Sequence, residues 1–239
     1  MKQYISTSQL KDKAKTQLSG KYHGVISACF MVQCLTYLVT IFITDLFPTE
    51  GLIWYFVSLL VNMIIAALTG VFQTGLSYMF LNIACDRPTH GGSIFYGFQE
   101  CYEVSLKISF VHAIVEFICL VPSQILLLLA MQTMSTTYIA LTLLAYGVGL
   151  LVYVPAYILL SQCYYLILDF PNMKASEIIR GSVKLMKKHF GRMFYLMISF
   201  LPLTLLCVVT CGIGLLWVVP YTKMTYTYFF LDIMSDKEA

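Results

Sequence analysis

The stretch LIWYFVSLLVNMIIAALTGVFQTGLSYMFLN, Leu52–Asn82, decides the fold: it holds no charged residue in 31 positions. A helix needs about 20 apolar residues to cross a bilayer. This run exceeds that, and the excess is taken up by tilt, kinks or extension beyond the membrane. Five further runs of the same kind lie at about 24–45, 106–130, 137–168, 192–210 and 213–233. A membrane β-barrel would show ten-residue segments of alternating hydropathy. These runs are instead continuous and rich in Leu, Ile, Phe and Tyr, which argues for helices.

Composition agrees with that reading. The chain is 59% hydrophobic and 11% charged, with a mean hydropathy of +0.79, against about 25% charged residues in a soluble domain. Lipid must solvate most of it. The expected fold is all-α: one polytopic membrane domain over 1–239 with six transmembrane helices. The first 23 residues are too polar for the core of a signal peptide and no small-residue cleavage site follows, so the first span is expected to be the uncleaved insertion signal.

Orientation follows from the basic residues. Lys2, Lys11, Lys13, Lys15 and Lys21 precede the first span. Arg87 and Lys107 flank the link from the second to the third. Lys174, Arg180, Lys184, Lys187, Lys188 and Arg192 lie between the fourth and fifth. Lys223 and Lys237 lie in or after the sixth, which accounts for all 15 Lys and Arg. The opposite links, at about 46–51, 131–136 and 210–212, hold no Lys or Arg, and Glu50 and the nearby Asp45 are the charges there. The chain is thus expected in a plasma membrane with both termini cytoplasmic and a basic inner face. Such a face attracts anionic lipid headgroups at about 1 kcal/mol per near-surface Lys or Arg. Lipid bilayer, anionic headgroups and a membrane-protein partner are the expected contacts. Nucleic acid is not, because no basic motif is interleaved with stacking aromatics.

Three cytoplasmic segments read as amphipathic helices on the membrane surface. In about 7–19, Leu10, Ala14 and Leu18 share a face, and Gly20 ends the helix. In about 93–101 the apolar side is Ile94, Phe95 and Phe98. In about 174–189, Ala175, Ile178, Ile179, Ser182, Leu185 and Met186 fall on one face, expected to enter the acyl boundary. Lys174, Glu177, Arg180, Lys184, Lys187 and Lys188 fall on the other. The basic set Lys174, Arg180, Lys184, Lys187 and Lys188 is a candidate anionic-lipid or partner-binding face. The three helices begin about 83 residues apart, each ahead of an outward span and an inward span. Asp86-Arg87-Pro88 and Asp169-Phe170-Pro171 repeat at the same interval. Gly147-Val148-Gly149-Leu150-Leu151 with Val154-Pro155 reappears as Gly212-Ile213-Gly214-Leu215-Leu216 with Val219-Pro220. A three-fold repeat of helix plus hairpin is expected on these grounds.

Pro122, Pro155, Pro202 and Pro220 place one proline in each of the last four spans, where each removes a backbone hydrogen bond and kinks the helix. Ala66, Gly70 and Thr74 on span two, and Ala145 and Gly149 on span four, are small-residue stripes suited to close helix contact. Eight cysteines without a C-x-x-C read as free thiols, Cys207 and Cys211 included.

Ionisable groups inside a membrane are costly and mark functional positions. His112 and Glu116 share a face of span three, and Lys223 sits in span six. Glu116 and Lys223 each lie about 15 Å deep by helical rise. They are expected to pair, or to share a wet cavity with His112. The three form a candidate midplane polar site for transport or proton relay. Mutual neutralisation of the two charges, or escape of Lys223 to the surface, would also explain them. Gln33, Asn62, Gln73, Gln124 and Gln162 either hydrogen-bond between helices or line a polar path. Asp86, Asp169 and Asp232 mark cytoplasmic ends and read as turn and helix-end hydrogen-bonders.

Enzyme signatures are absent: no H-E-x-x-H, G-x-S-x-G, Walker loop or dinucleotide glycine pattern. No catalytic residue, metal or cofactor is expected. The leading expectation is a non-enzymatic accessory or partner- and lipid-binding component acting at the cytoplasmic face. The rival is a small-solute or lipid transporter using the midplane site.

Ser182, Met186, Phe194, Ser199-Phe200, Thr210-Cys211-Gly212-Ile213-Gly214-Leu215-Leu216-Trp217 and Pro220-Tyr221 resemble an integral membrane family catalogued as domain of unknown function 975. The Leu10…Ala14…Leu18 pattern, the Gly75…Phe95…Gly97-Phe98 region and the Pro155 span extend the resemblance over nearly the whole chain. It implies a six-span bacterial membrane protein, commonly from Gram-positives, and carries no activity. Lys187 stands where the family commonly has Gly, which makes the third amphipathic helix more continuous and more basic. Lys223 stands where the family is usually uncharged, so a role for it would be this chain's own.

Overall fold

A computed structural model describes residues 4–46, 52–133 and 135–235. Lys2, Glu50, Lys237 and most of the link expected at about 46–51 lie outside them. All regular structure among the described residues is helical. In chain order the helices are α1 (Thr7–Leu18), α2 (Tyr22–Thr44), α3 (Leu52–Ala84), a 3-10 turn (Gly91–Phe95) leading into α4 (Tyr96–Gln99), α5 (Tyr102–Thr133), α6 (Thr136–Leu160), α7 (Cys163–Asp169), α8 (Ala175–Ile198), α9 (Leu201–Val209) and α10 (Leu215–Met234). Five segments are long and apolar enough to cross a membrane: Tyr22–Thr44, Ile53–Ala84, Tyr102–Thr133, Thr136–Asp169 and Ala175–Val209. The sixth expected span is α10. It is helical but less apolar, because Thr222, Lys223, Thr225, Thr227 and Asp232 interrupt it.

The long helices close into a ring through the neighbours α2–α3, α3–α5, α5–α6, α6–α8, α9–α10 and α10–α2. Close contacts are made where side chains vanish. A Cβ on Gly70 would stand 2.7 Å from the Ser109 Cβ, and one turn away Thr74 donates to Ser105 Oγ at 2.9 Å. A Cβ on Gly149 would run into the Cys119 carbonyl. Gly70 with Thr74, and Gly149, thus seat α3 and α6 on α5.

Packing is concentrated at one end of the ring, the base. There α1 fills the gap among α2, α3 and α10, with Ala14 and Leu18 against Val25, Leu76, Phe80 and Met224. Leu10 sits with Ile158, Met193 and Phe229. The start of α8 places Ile178 against Leu160, Leu166, Ile167 and Phe230. Towards the far end the side chains that face outward are large and apolar, among them Phe42, Ile53, Leu143, Leu151 and Val209. Lipid is the environment in which they carry no hydrophobic penalty.

Several expectations change in detail. The apolar residues of α1 and α8 expected to enter the acyl boundary, among them Leu10, Leu18, Ile178 and Met186, pack on protein. The segment expected at 93–101 is a 3-10 turn plus one helical turn, locked onto α3 because a Cβ on Gly75 would collide with the Ile94 backbone. Phe72 receives Phe95 and Phe98 at ring distances of 5.8 and 4.6 Å. The third amphipathic helix does not stop near 189: α8 runs unbroken to Ile198, and the break falls at Ser199-Phe200 inside the expected span 192–210. Pro202 therefore opens α9, where its missing N–H costs nothing. The other prolines lie inside α5, α6 and α10. The three expected repeat units thus carry unlike amphipathic pieces: a separate helix, a short turn, and a helix fused to its span.

The two described chain ends meet at the base. Arg192 Nη2 donates to Asp232 Oδ2 at 2.6 Å and to the Ile5 carbonyl at 3.0 Å, and the Ile5 amide donates to Asp232 Oδ1 at 3.4 Å. The opposite end of α1 is tied by Asp86, which accepts from Gln17 Nε2 at 2.6 Å and Lys21 Nζ at 3.3 Å. The Asp86 and Asp232 side chains therefore clamp the two ends of α1, while the Asp86 backbone, at φ 52°, closes the end of α3 as expected. All eight thiols are free, including Cys207 and Cys211.

Candidate functional site

The ring encloses a cavity of about 780 Å³ lined by α2, α3, α5, α6, α7, α8, α9 and α10. Its composition sets it apart from the rest of the spans. Gln33, Asn62, Gln73 and Gln162 all reach it, as do His112, Glu116 and Lys223. The exception among the expected amides is Gln124, whose backbone carbonyl accepts from Tyr55 Oη at 2.8 Å. Tyr153, Tyr157, Tyr164, Tyr165 and Tyr226 add a set of phenols to the wall.

The broken helices explain part of this polarity. Between α6 and α7 the helical hydrogen-bond ladder is interrupted at Ser161-Gln162, six residues after Pro155, although both residues keep right-handed helical dihedrals. Ser161 Oγ donates to the Ile158 carbonyl at 2.8 Å, so it has no hydrogen left and accepts from Gln162 Nε2 at 2.9 Å. That fixes the amide orientation and leaves Gln162 Oε1 buried without a donor. Opposite, the α8–α9 break brings Met197 and Thr204 to the wall.

The floor is hydrogen-bonded. Thr227 donates to the Lys223 carbonyl at 3.0 Å, so at the Tyr165–Thr227 contact of 3.0 Å the phenol is the donor. Tyr165 also stacks on Phe230 with ring centroids 5.0 Å apart. Just above, Lys223 Nζ donates to Gln73 Oε1 at 2.5 Å. On the α5 wall His112 lies over Tyr164 at 5.1 Å, and its Nδ1 bonds the Ile108 carbonyl at 3.0 Å. A carbonyl only accepts, so Nδ1 carries the hydrogen; the Leu160 carbonyl also faces the ring, and Nε2 has no partner in hydrogen-bond range.

The expected pairing of Glu116 with Lys223 does not occur. Among the described residues neither belongs to an ion pair, and Lys223 takes an amide instead. Register explains why. Thr74 meets Ser105 across α3 and α5, so Glu116, eleven residues beyond Ser105, stands about 16 Å further from the base than the Thr74 level. Gln73, the partner of Lys223, is next to Thr74. The three expected residues thus share one cavity at different heights. Missed by sequence reasoning were the partner role of Gln73 and the tyrosines. The tyrosines read in sequence as ordinary span residues, and only the direction each faces reveals them.

Among the described residues no three His, Cys, Asp or Glu side chains converge in a way that would hold a metal ion. Lys174, Arg180, Lys184, Lys187 and Lys188 are all exposed on the outer side of α8, away from the cavity.

Fold and cavity together define an all-helical, multi-pass membrane protein built around a chamber in which polar groups are set among apolar ones. The chain belongs to the family described as Protein of unknown function (DUF975), whose profile matches residues 1–237. No curated protein and no solved structure matches it.

Proposed function

We propose that this protein binds a small polar or amphiphilic molecule in the central chamber and hands it across, or along, the membrane. One observation carries this reading: polar side chains from α2, α3, α5, α6 and α10 converge on one cavity of about 780 Å³. Polar groups in apolar spans are expensive, and a packed bundle would have paired them with each other. Broken helices at such a cavity are the usual means of offering backbone and side-chain partners to a ligand. The reading inverts the order expected from sequence, where an accessory role led. It needs no covalent chemistry.

Six crossings are part of the proposal, with α10 as the sixth. Five would separate the chain ends by a membrane, whereas Ile5 and Asp232 are in contact. The distribution of Lys and Arg supports a plasma-membrane protein with its base towards the cytoplasm, and the sequence resemblance supports a bacterial source.

Native mass spectrometry of the protein extracted with its own lipids tests the reading. A small molecule retained at fixed stoichiometry is expected. It should be lost in Ala66→Trp, which fills the chamber from an exposed wall position. An empty wild-type chamber in every preparation contradicts it.

A second reading is favoured by the exposed basic side of α8: docking of an anionic lipid or a membrane-protein partner at the base. Replacing Lys184, Lys187 and Lys188 with Gln should strip anionic lipid or a co-purifying polypeptide from the same spectra. Unchanged spectra count against it.

A further inference from the structure

The chamber's unpaired acceptors and its lysine together name a ligand class; the inference rests on the ligand-binding reading above. On the α5–α7 side, beside the phenols of Tyr153 and Tyr157, stand acceptors with no donor in hydrogen-bond range. Gln162 Oε1 is fully buried, its residue 0% exposed, with its orientation fixed by Ser161. His112 Nε2 is buried with no partner in hydrogen-bond range, and the Leu160 carbonyl as well as that of Ile108 faces the ring. Glu116 reaches the same space and makes no hydrogen bond among the described residues. On the α3–α10 side the strongest group is a donor. Lys223 Nζ has three hydrogens and one acceptor, the Gln73 amide, with no carboxylate beside it.

Each side lacks what the other offers, and register keeps them from satisfying one another. His112 is seven residues beyond Ser105 on α5, about 10 Å further from the base than the Thr74–Ser105 contact. Lys223 bonds Gln73, next to Thr74. Buried polar atoms are ordinarily paired, so a molecule spanning the gap would repair both deficits at once. It needs an anionic group for Lys223 and hydrogen-bond donors for Gln162, His112 and Glu116.

We propose that the chamber binds a zwitterion whose anionic group meets Lys223 and whose ammonium group meets Gln162, His112 and Glu116, the two ends several ångströms apart. A free zwitterion and a zwitterionic lipid headgroup share this chemistry.

The test is calorimetric titration of the full chain in non-ionic maltoside micelles with phosphoethanolamine, ethanolamine, inorganic phosphate and a short-chain phosphatidylethanolamine. At least one zwitterion is expected to bind tenfold or more tightly than either half-molecule. Preference for phosphoethanolamine identifies a free solute, and preference for the phosphatidyl form identifies a lipid. Lys223→Met should reduce zwitterion affinity to that of ethanolamine, and Gln162→Leu should reduce it towards that of phosphate, both in monodisperse protein. Two outcomes overturn the inference: no binding of either zwitterion, or binding indifferent to both variants. A neutral or purely anionic molecule retained in native spectra would likewise overturn it, while leaving the chamber's ligand-binding role intact. An empty chamber removes both.

Discussion

Glycine positions show how differently one residue type is used. Gly75 has no room for a Cβ because the Ile94 backbone lies against it, whereas Gly147 faces open space in α6. Gly75→Ala is expected to cost about 1–3 kcal/mol, the usual range for overpacking a close contact. Gly147→Ala should be neutral or stabilising by up to about 1 kcal/mol, from helix propensity alone. Thermal unfolding midpoints in detergent separate the two, and equal shifts would refute the interlock of the 3-10 turn with α3. The charged residues of the chamber were legible in the sequence because charge is conspicuous among apolar neighbours. Their partners were not. Helical periodicity places His112 and Glu116 on one face of α5, but it is silent about which neighbouring helix stands at which height. That register comes from Gly70 and Thr74 seating α3 on α5, and it is what sends Lys223 to Gln73 instead of Glu116.

Among the elements, α1 is the one held most deliberately. Its apolar face closes the base, while Asp86 and Asp232 fasten its two ends. The Gln17 amide, then Lys21, holds the Asp86 carboxyl below its ordinary range. A depressed folded-state value means the stabilisation is complete above the unfolded carboxylate range, near about 4, and is lost as pH falls through the folded value. Amide protection factors at the C-terminal turn of α1, referred to the intrinsic rate at each pH, should therefore fall on acidification below about pH 4, and Asp86→Asn should show reduced protection at neutral pH already. Exchange equally slow in both proteins would mean the clamp holds nothing. Periodicity revealed the two faces of α1 and α8 because a 3.6-residue repeat survives whatever covers it. It gave no hint of the covering, since lipid and protein interior select the same apolar residues. The break before α9 had a sequence signal in Pro202. An unbroken apolar run concealed it, and the continuity of α8 past Lys187 moved the break deeper than charge patterning implied.

At the scale of the whole molecule, the buried clusters that pack the base close the cavity on that side. Its floor is the Tyr165–Thr227 contact with Lys223 and Gln73 above it. All-helical membrane architecture followed directly from run length and composition. The chamber did not, because polar residues scattered through spans serve helix pairing as readily as a cavity, and only their common direction distinguishes the two. The most direct test places a single cysteine at Ala66, which faces the chamber, or at Ala67, which is buried, in a chain with its native cysteines replaced. A membrane-impermeant maleimide is then added to intact cells. Ala66→Cys is predicted to be labelled from outside and protected by the bound molecule, while Ala67→Cys stays unreactive. Equal lack of labelling at both positions would contradict a polar chamber open away from the base.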